Sequence, residues 1–260
     1  MPAGVCVCPG HYRANLTKPA GENLKMKNLI QRLQSKVQSV FKPRIIPAVL
    51  ADSLTFLESD ALEDLYRAVQ DCDRRRLPGV LIEAGCAAGG SAIVMTAAKK
   101  PDRPFFVYDV FGMIPEPSDK DGNDVLDRYK VIKQGEAKGI GDRGYYGYET
   151  DLQLKVQQNF SRHGFPIVEN NVKLVKGLFL DTITGSEPVA LAHVDGDWYN
   201  SVMDCLQRIA PRLVIGGTLV IDDYEAWSGC RKAVGDYFAD KKAKFNFVKK
   251  ARLNIVRTEL

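Results

Sequence analysis

No stretch of this sequence approaches the ~20 consecutive apolar residues that a membrane-spanning helix needs. Residues 1–21 have no apolar core like that of a secretory signal. A cytoplasmic protein with no membrane span is therefore expected. Charge of one sign is also scarce: 36 Lys and Arg stand against 32 Asp and Glu, a net +4 dispersed along 260 residues. Such a balance offers nucleic acid no concentrated basic surface, and a small-molecule partner fits better. The six cysteines, at positions 6, 8, 72, 86, 205 and 230, follow no regular spacing, and a chain of this length buries enough core to need no disulfide staples. Reduced thiols are expected. Cys6 and Cys8 have no second pair at zinc-finger spacing. The G-x-G-x-x-G fingerprint and a well-placed Tyr-x-x-x-Lys pair are missing too, which tells against a nicotinamide oxidoreductase.

What is present begins with a tail. Residues 1–25 hold three prolines and no period, which predicts disorder. Met26 opens a helical pattern directly, so a start of translation there is an alternative that the intact mass of the native protein decides. From Lys27 to Phe41, Leu29, Leu33, Val37 and Val40 recur at helical spacing among Lys27, Arg32 and Lys36. This basic amphipathic helix suits packing on its own domain or on a second subunit better than a membrane surface, and the second of these would make a homo-oligomer, which gel filtration decides. A second helix is predicted from about Thr55 to Arg75, capped by Asp52 or Ser53.

A single domain over 26–260 follows, with N-terminal helices over 26–78. "GVLIEAGC", "FFVYDVF", "NVKLVKGLF", "PVALAHVDGDW" and "GGTLVIDDY" read as strands, with helices through "GGSAIVMTAAKK", "YNSVMDCLQRIA" and about Ser228 to Ala239. Continuous apolar runs imply strands covered on both faces, hence an α/β fold with a mostly parallel sheet and helices on both sides. "KFNFVKK" and "RLNIVRTEL" are too closely spaced for a crossover and predict a C-terminal antiparallel hairpin. Residues 112–150 interrupt the alternation with a long, charged, glycine-rich stretch. Its length suggests a lid or a disordered loop; Tyr145, Tyr146 and Tyr148 favour a lid, since aromatic rings can stack on the C–H face of a sugar.

Chemistry concentrates at the strand ends. In "EAGCAAGGSA", Glu83, Gly85 and Gly89 are spaced E-x-G-x-x-x-G at a strand-to-helix turn that also carries Cys86 and Ser91. Glycine there lets backbone approach a ligand closely. Without the dinucleotide spacing, a cofactor lacking phosphate such as S-adenosylmethionine fits, its amino-acid part near Gly85 and its ribose on Asp109 at the end of the second strand. Asp195 and Asp197 end the fourth strand and Asp222 and Asp223 the fifth. In open α/β sheets ligands bind beyond the carboxyl ends of the strands, so these four acids converge if the two strands are neighbours. Converging carboxylates repel unless protonated or bridged by a hard cation, Mg²⁺ before Mn²⁺ or Ca²⁺. The plainer reading makes each acid a helix N-cap; two doublets favour the metal. His193, inside an apolar strand, reads as a hydrogen-bonded core histidine and His163 as the end of a helix.

Together, "LIEAGCAAGGSA", "GLFLDT", "VDGDWYNSVMDCL" and "GGTLVIDDYEAWSGCRKAV" resemble the macrocin O-methyltransferase family over roughly residues 45–245. The resemblance implies a Rossmann-like class I methyltransferase fold with a seven-stranded sheet. It implies an S-adenosylmethionine- and Mg²⁺-dependent enzyme that methylates a hydroxyl of a sugar, often on a glycosylated natural product. It assigns Asp195, Asp222 and Asp223 to the metal and Asp197 to the base. Cofactor contacts are expected from Glu83, Gly85, Cys86, Gly89, Ser91, Asp109, Gly177 and Asp195, and acceptor contacts from Tyr145, Tyr146, Tyr148 and Trp198. Two departures stand out: the family often has serine where this chain has Val110, and its residues 117–148 align poorly with other members. A non-catalytic S-adenosylmethionine or metabolite binder, or an O-methyltransferase acting on a non-sugar diol, are the alternatives.

Overall fold

A computed structural model describes residues 43–259. The expected tail, the Lys27–Phe41 helix and the Cys6–Cys8 pair lie outside the described residues. Seven strands form one sheet: β1 (Val80–Ala84), β2 (Phe105–Asp109), β3 (Val172–Lys176), β4 (Val189–Val194), β5 (Leu213–Ile221), β6 (Phe245–Lys249) and β7 (Leu253–Arg257). Their order is β3-β2-β1-β4-β5-β7-β6. β1 to β5 pair in parallel, and β7 joins β5 antiparallel and returns to β6 as the hairpin read from the sequence. The order reverses at β1, which places the switch point, and the crevice it opens, between the carboxyl ends of β1 and β4.

The continuous apolar runs divide by the two-residue period of a strand. Leu81, Val107, Leu191 and Val220 face one layer, made by α1 (Ile45–Ala51), α2 (Ser59–Arg74), α3 (Gly90–Ala98) and α5 (Leu152–Arg162). Ile82, Ala84, Ala192, Val194, Leu219 and Ile221 face the other, made by α7 (Tyr199–Ile209) and α8 (Ser228–Phe238). A short α6 (Phe179–Thr182) follows β3. Among the described residues no helix is long and apolar enough to cross a membrane, and Cys72, Cys86, Cys205 and Cys230 are free thiols.

One boundary is corrected. The helix predicted from about Thr55 starts later, as α2 at Ser59 after Glu58; Asp52 caps the C-terminus of the separate α1 instead, and in the turn between them Thr55 accepts the Leu57 amide on its hydroxyl (3.1 Å). The stretch 112–150 holds an 11-residue helix, α4 (Asn123–Lys133), and a turn of 3₁₀ helix at Tyr146–Tyr148. Its Val125, Ile132, Ala137 and Tyr145 form a small core with Trp198 from the turn after β4. His163 does end a helix, as the C-terminal cap of α5.

Candidate active site

β4 and β5 are hydrogen-bonded neighbours, with Val194 opposite Ile221, so the acids that follow them emerge side by side. The ladder runs one step past each strand: the Asp195 amide donates to Ala84 O at 2.8 Å and the Asp222 amide to Val194 O at 3.0 Å. Gly85 turns under Asp195 with φ +89°, and a Cβ there would lie 1.9 Å from Asp195 O, so only glycine allows the two loops to pass. Asp197 itself holds a left-handed φ of 53°, while its amide donates to Asp223 Oδ2 at 3.0 Å.

The four carboxylates separate into three and one. Asp195, Asp197 and Asp223 each bring an oxygen within 4.8 Å of the others. Burial, and then the neighbouring carboxylates, push Asp195 and Asp197 well above the usual carboxylate range. Burial, then Asp222, pushes Asp223 up to about 7. Asp222 differs. Burial works to raise it, but His193 and Arg252 overcome this and hold it below its ordinary value. Arg252 Nε donates to Asp222 Oδ1 at 2.8 Å, and His193 Nε2 lies 3.5 Å from the same oxygen. His193 Nδ1 meets Glu83 Oε1 at 2.9 Å, and both side chains are fully buried. Burial would depress this imidazole, yet Asp222 and Glu83 push its pKa up to about 9. The histidine is therefore a bonded core residue, and Glu83 is its partner within the sheet rather than part of a cavity wall.

Two cavities meet at the acid cluster. The first, about 220 Å³, runs from Gly85 and Asp109 past Ile114 to Leu178, Phe179 and Leu180. The second, about 210 Å³, is bounded by the four acids, Cys86, Ser91, Arg128, Tyr145, Trp198 and Trp227. Gly85, Asp109, Tyr146, Asp195, Asp197 and Trp198 line both. Asp109 is fixed by backbone: Oδ2 accepts the Cys86 amide at 2.8 Å and Oδ1 the Phe111 amide at 2.7 Å. These bonds oppose the larger effect of burial, which still leaves its pKa raised.

Other expected residues sit elsewhere. Gly89 starts α3 in a left-handed conformation against Val156, and Gly177 donates its amide to Asp109 O at 3.0 Å; neither lines the two cavities, though the residues after Gly177 do. Tyr148 is not on these walls either: its hydroxyl donates to Ile132 O at 2.7 Å and accepts the Ala137 amide at 3.1 Å, fastening the end of α4. Trp227, Arg128 and Arg252 were missed in the sequence. Trp227 Nε1–H donates to Asp197 Oδ1 at 3.0 Å, and the Arg128 guanidinium lies 5.9 Å from the centre of the Tyr145 ring. Trp227 stands four residues beyond Asp223, close to the acid doublet in sequence; the two arginines lie in no motif.

Residues 46–250 match the model of the macrocin O-methyltransferase (TylF) family. The chain belongs to that family. Among curated relatives, mycinamicin III 3''-O-methyltransferase of Micromonospora griseorubida is 32% identical over 192 residues, covering 70% of this chain and 69% of that one. The 8-demethyl-8-(2,3-dimethoxy-α-L-rhamnosyl)-tetracenomycin-C 4'-O-methyltransferase of Streptomyces olivaceus is 33% identical over 182 residues, covering 68% and 64%. Among solved structures, the O-methyltransferase NovP superposes with a TM-score of 0.66 at 23% identity, over 80% of this chain and 83% of its own. The fold is thus the Rossmann-like class I methyltransferase fold, and the chain is an O-methyltransferase. Membership in this family sets aside the non-catalytic reading.

Proposed function

We propose that this macrocin-type O-methyltransferase transfers a methyl group from S-adenosylmethionine to a hydroxyl of a sugar on a glycosylated small molecule, and that it uses Mg²⁺. The observation that carries this reading is the junction of two cavities at one cluster of acids, the half-buried Asp195 and Asp197 and the buried Asp223. The relative from Streptomyces olivaceus, whose name specifies a rhamnosyl group, supports a sugar acceptor. The first cavity suits the cofactor: Asp109 presents carboxylate oxygens for a ribose diol, and Leu178 and Leu180 offer apolar walls for an adenine ring. The second suits the acceptor, with Tyr145, Tyr146 and Trp198 as faces for a sugar ring.

The donor set fits a hard divalent ion, since it is all carboxylate and its members repel one another as they stand. Asp195 and Asp223 are the ligands on which motif and geometry agree. Asp222, kept ionised by His193 and Arg252, is the better third ligand, and Asp197, whose pKa is raised, the better base. When bound, the ion supplies Lewis acidity that lowers the acceptor hydroxyl's pKa, and the cofactor supplies an electrophilic methyl group. Asp197 removes the hydroxyl proton. Trp227 holds one Asp197 oxygen and leaves the other for that proton. Asp109, anchored by backbone amides, and the walls shared between the cavities hold the reacting groups in line and exclude water.

Asp197→Asn is expected to lower turnover by about 10²-fold or more, the scale of a lost general base, while S-adenosylhomocysteine binds as in the wild type. Calorimetry for the cofactor and product assays on glycosylated acceptors check this. Unchanged turnover would remove Asp197 from the base role. Failure of S-adenosylhomocysteine to bind would overturn the cofactor assignment.

A further inference from the structure

Within the acid set, Asp222 stands out because the protein itself supplies its counter-charge. Arg252 reaches it from the tip of the β6–β7 hairpin. β7 pairs antiparallel with β5, Leu253 opposite Ile221, so the residue preceding β7 meets the residue following β5. The tip is tied down independently: the Ala251 amide donates to Asp64 on α2 at 3.0 Å, and Arg252 Nη2 donates to Glu58 Oε2 at 2.8 Å. Arg252 is about a fifth exposed and Asp222 about a tenth, so solvent screens their contact only in part. Arg252 and His193 both engage Oδ1 of Asp222. Neither bonds the carboxylates of Asp195, Asp197 or Asp223.

We infer that Arg252 is an internal counter-ion that sets the acid site's affinity for its divalent ion. It gives Asp222 a positive partner at 2.8 Å, holds that carboxylate in place, and would repel a divalent ion bound at the acids. This rests on the reading of the acids as a metal site. Two effects of Arg252 oppose each other. Its hydrogen bond orients Asp222, which favours metal binding; its charge lies beside a ligand, which disfavours it. In a partly buried site the repulsion that a guanidinium would exert on a divalent ion held at the neighbouring acids outweighs the gain from one hydrogen bond. The charge therefore decides the sign.

The test measures Mn²⁺ binding without cofactor, by the loss of the free-ion paramagnetic resonance signal, in the full chain and its variants. Arg252→Gln keeps a donor for Asp222 but removes the charge, and is expected to bind Mn²⁺ at least fivefold more tightly. Arg252→Lys keeps the charge and should stay within about twofold of wild type. S-adenosylhomocysteine affinity should not move in either. Should Arg252→Gln prove unstable, Arg252→Met, an uncharged stem of similar reach, carries the same expectation. A purely structural arginine would give looser binding in the uncharged variants; equal or weaker Mn²⁺ binding there overturns the inference while leaving the metal site standing. Absence of Mn²⁺ binding in wild type and uncharged variants alike overturns the metal reading and this inference with it.

Discussion

Asp223 couples the acid cluster to pH. Its pKa is pushed up to about 7 by burial and by Asp222, whereas an unfolded aspartate titrates near 3.9. Between about pH 4 and pH 7 the folded protein therefore holds a proton that the unfolded chain has released, and stability falls as pH rises through that window. His193, pushed up to about 9, adds a loss of the same sign above about pH 6.5. The metal-free protein should lose several degrees of Tm between pH 5 and pH 8, since ~1 kcal/mol corresponds to roughly 2–4 °C at this size. Asp223→Asn should flatten the part below neutrality. Saturating Mg²⁺ should oppose the fall, because its binding replaces protons on the cluster and tightens as pH rises. Thermal melts across pH, with and without Mg²⁺, provide the check. A metal-free wild type whose Tm rises through this window would contradict the assignment.

At the scale of elements, the segment between β2 and α5 is fastened to the helices that follow the acid doublets. Asp121 accepts the Tyr199 amide at 2.8 Å and so caps α7 from outside; Asp124 accepts the Ser228 amide at 2.8 Å and caps α8 in the same way. The contact is close enough that a Cβ on Gly229 would stand 1.9 Å from Asp121 Oδ1. Asp121→Ala and Asp124→Ala should each cost about 0.5–2 kcal/mol, the range for a lost N-cap. Gly229→Ala should lift the segment away and raise the acceptor KM more than the cofactor Kd. Urea denaturation and steady-state kinetics separate the two effects. None of this docking was visible in the sequence. α4 buries Val125 and Ile132 alone, too sparse a stripe to stand out from a charged loop, and caps supplied by a distant segment leave no local signature. β1, β4 and β5 were legible because both of their faces are covered, which imposes unbroken apolar runs.

Across the whole molecule the same contrast holds for the site. The acids could be read because parallel neighbouring strands deliver whatever follows them to one edge of the sheet. Their partners could not. Arg252 arrives thirty residues after Asp222 through the register of an antiparallel hairpin, and Glu83 and His193 meet by lying opposite each other on β1 and β4. A third cavity of about 140 Å³, lined by Phe56, Arg143 and Asn159, adjoins the other two, and Tyr146 lines all three. This shared wall bears on the order of events during turnover. With S-adenosylmethionine as the occupant of the first cavity, the sulfonium end would complete the floor on which the acceptor rests, so the cofactor should enter before the acceptor and S-adenosylhomocysteine leave after the methylated product. Product-inhibition kinetics should then show S-adenosylhomocysteine competing with S-adenosylmethionine but not with the acceptor. Calorimetric binding of acceptor to cofactor-free protein at its full affinity would reverse that order.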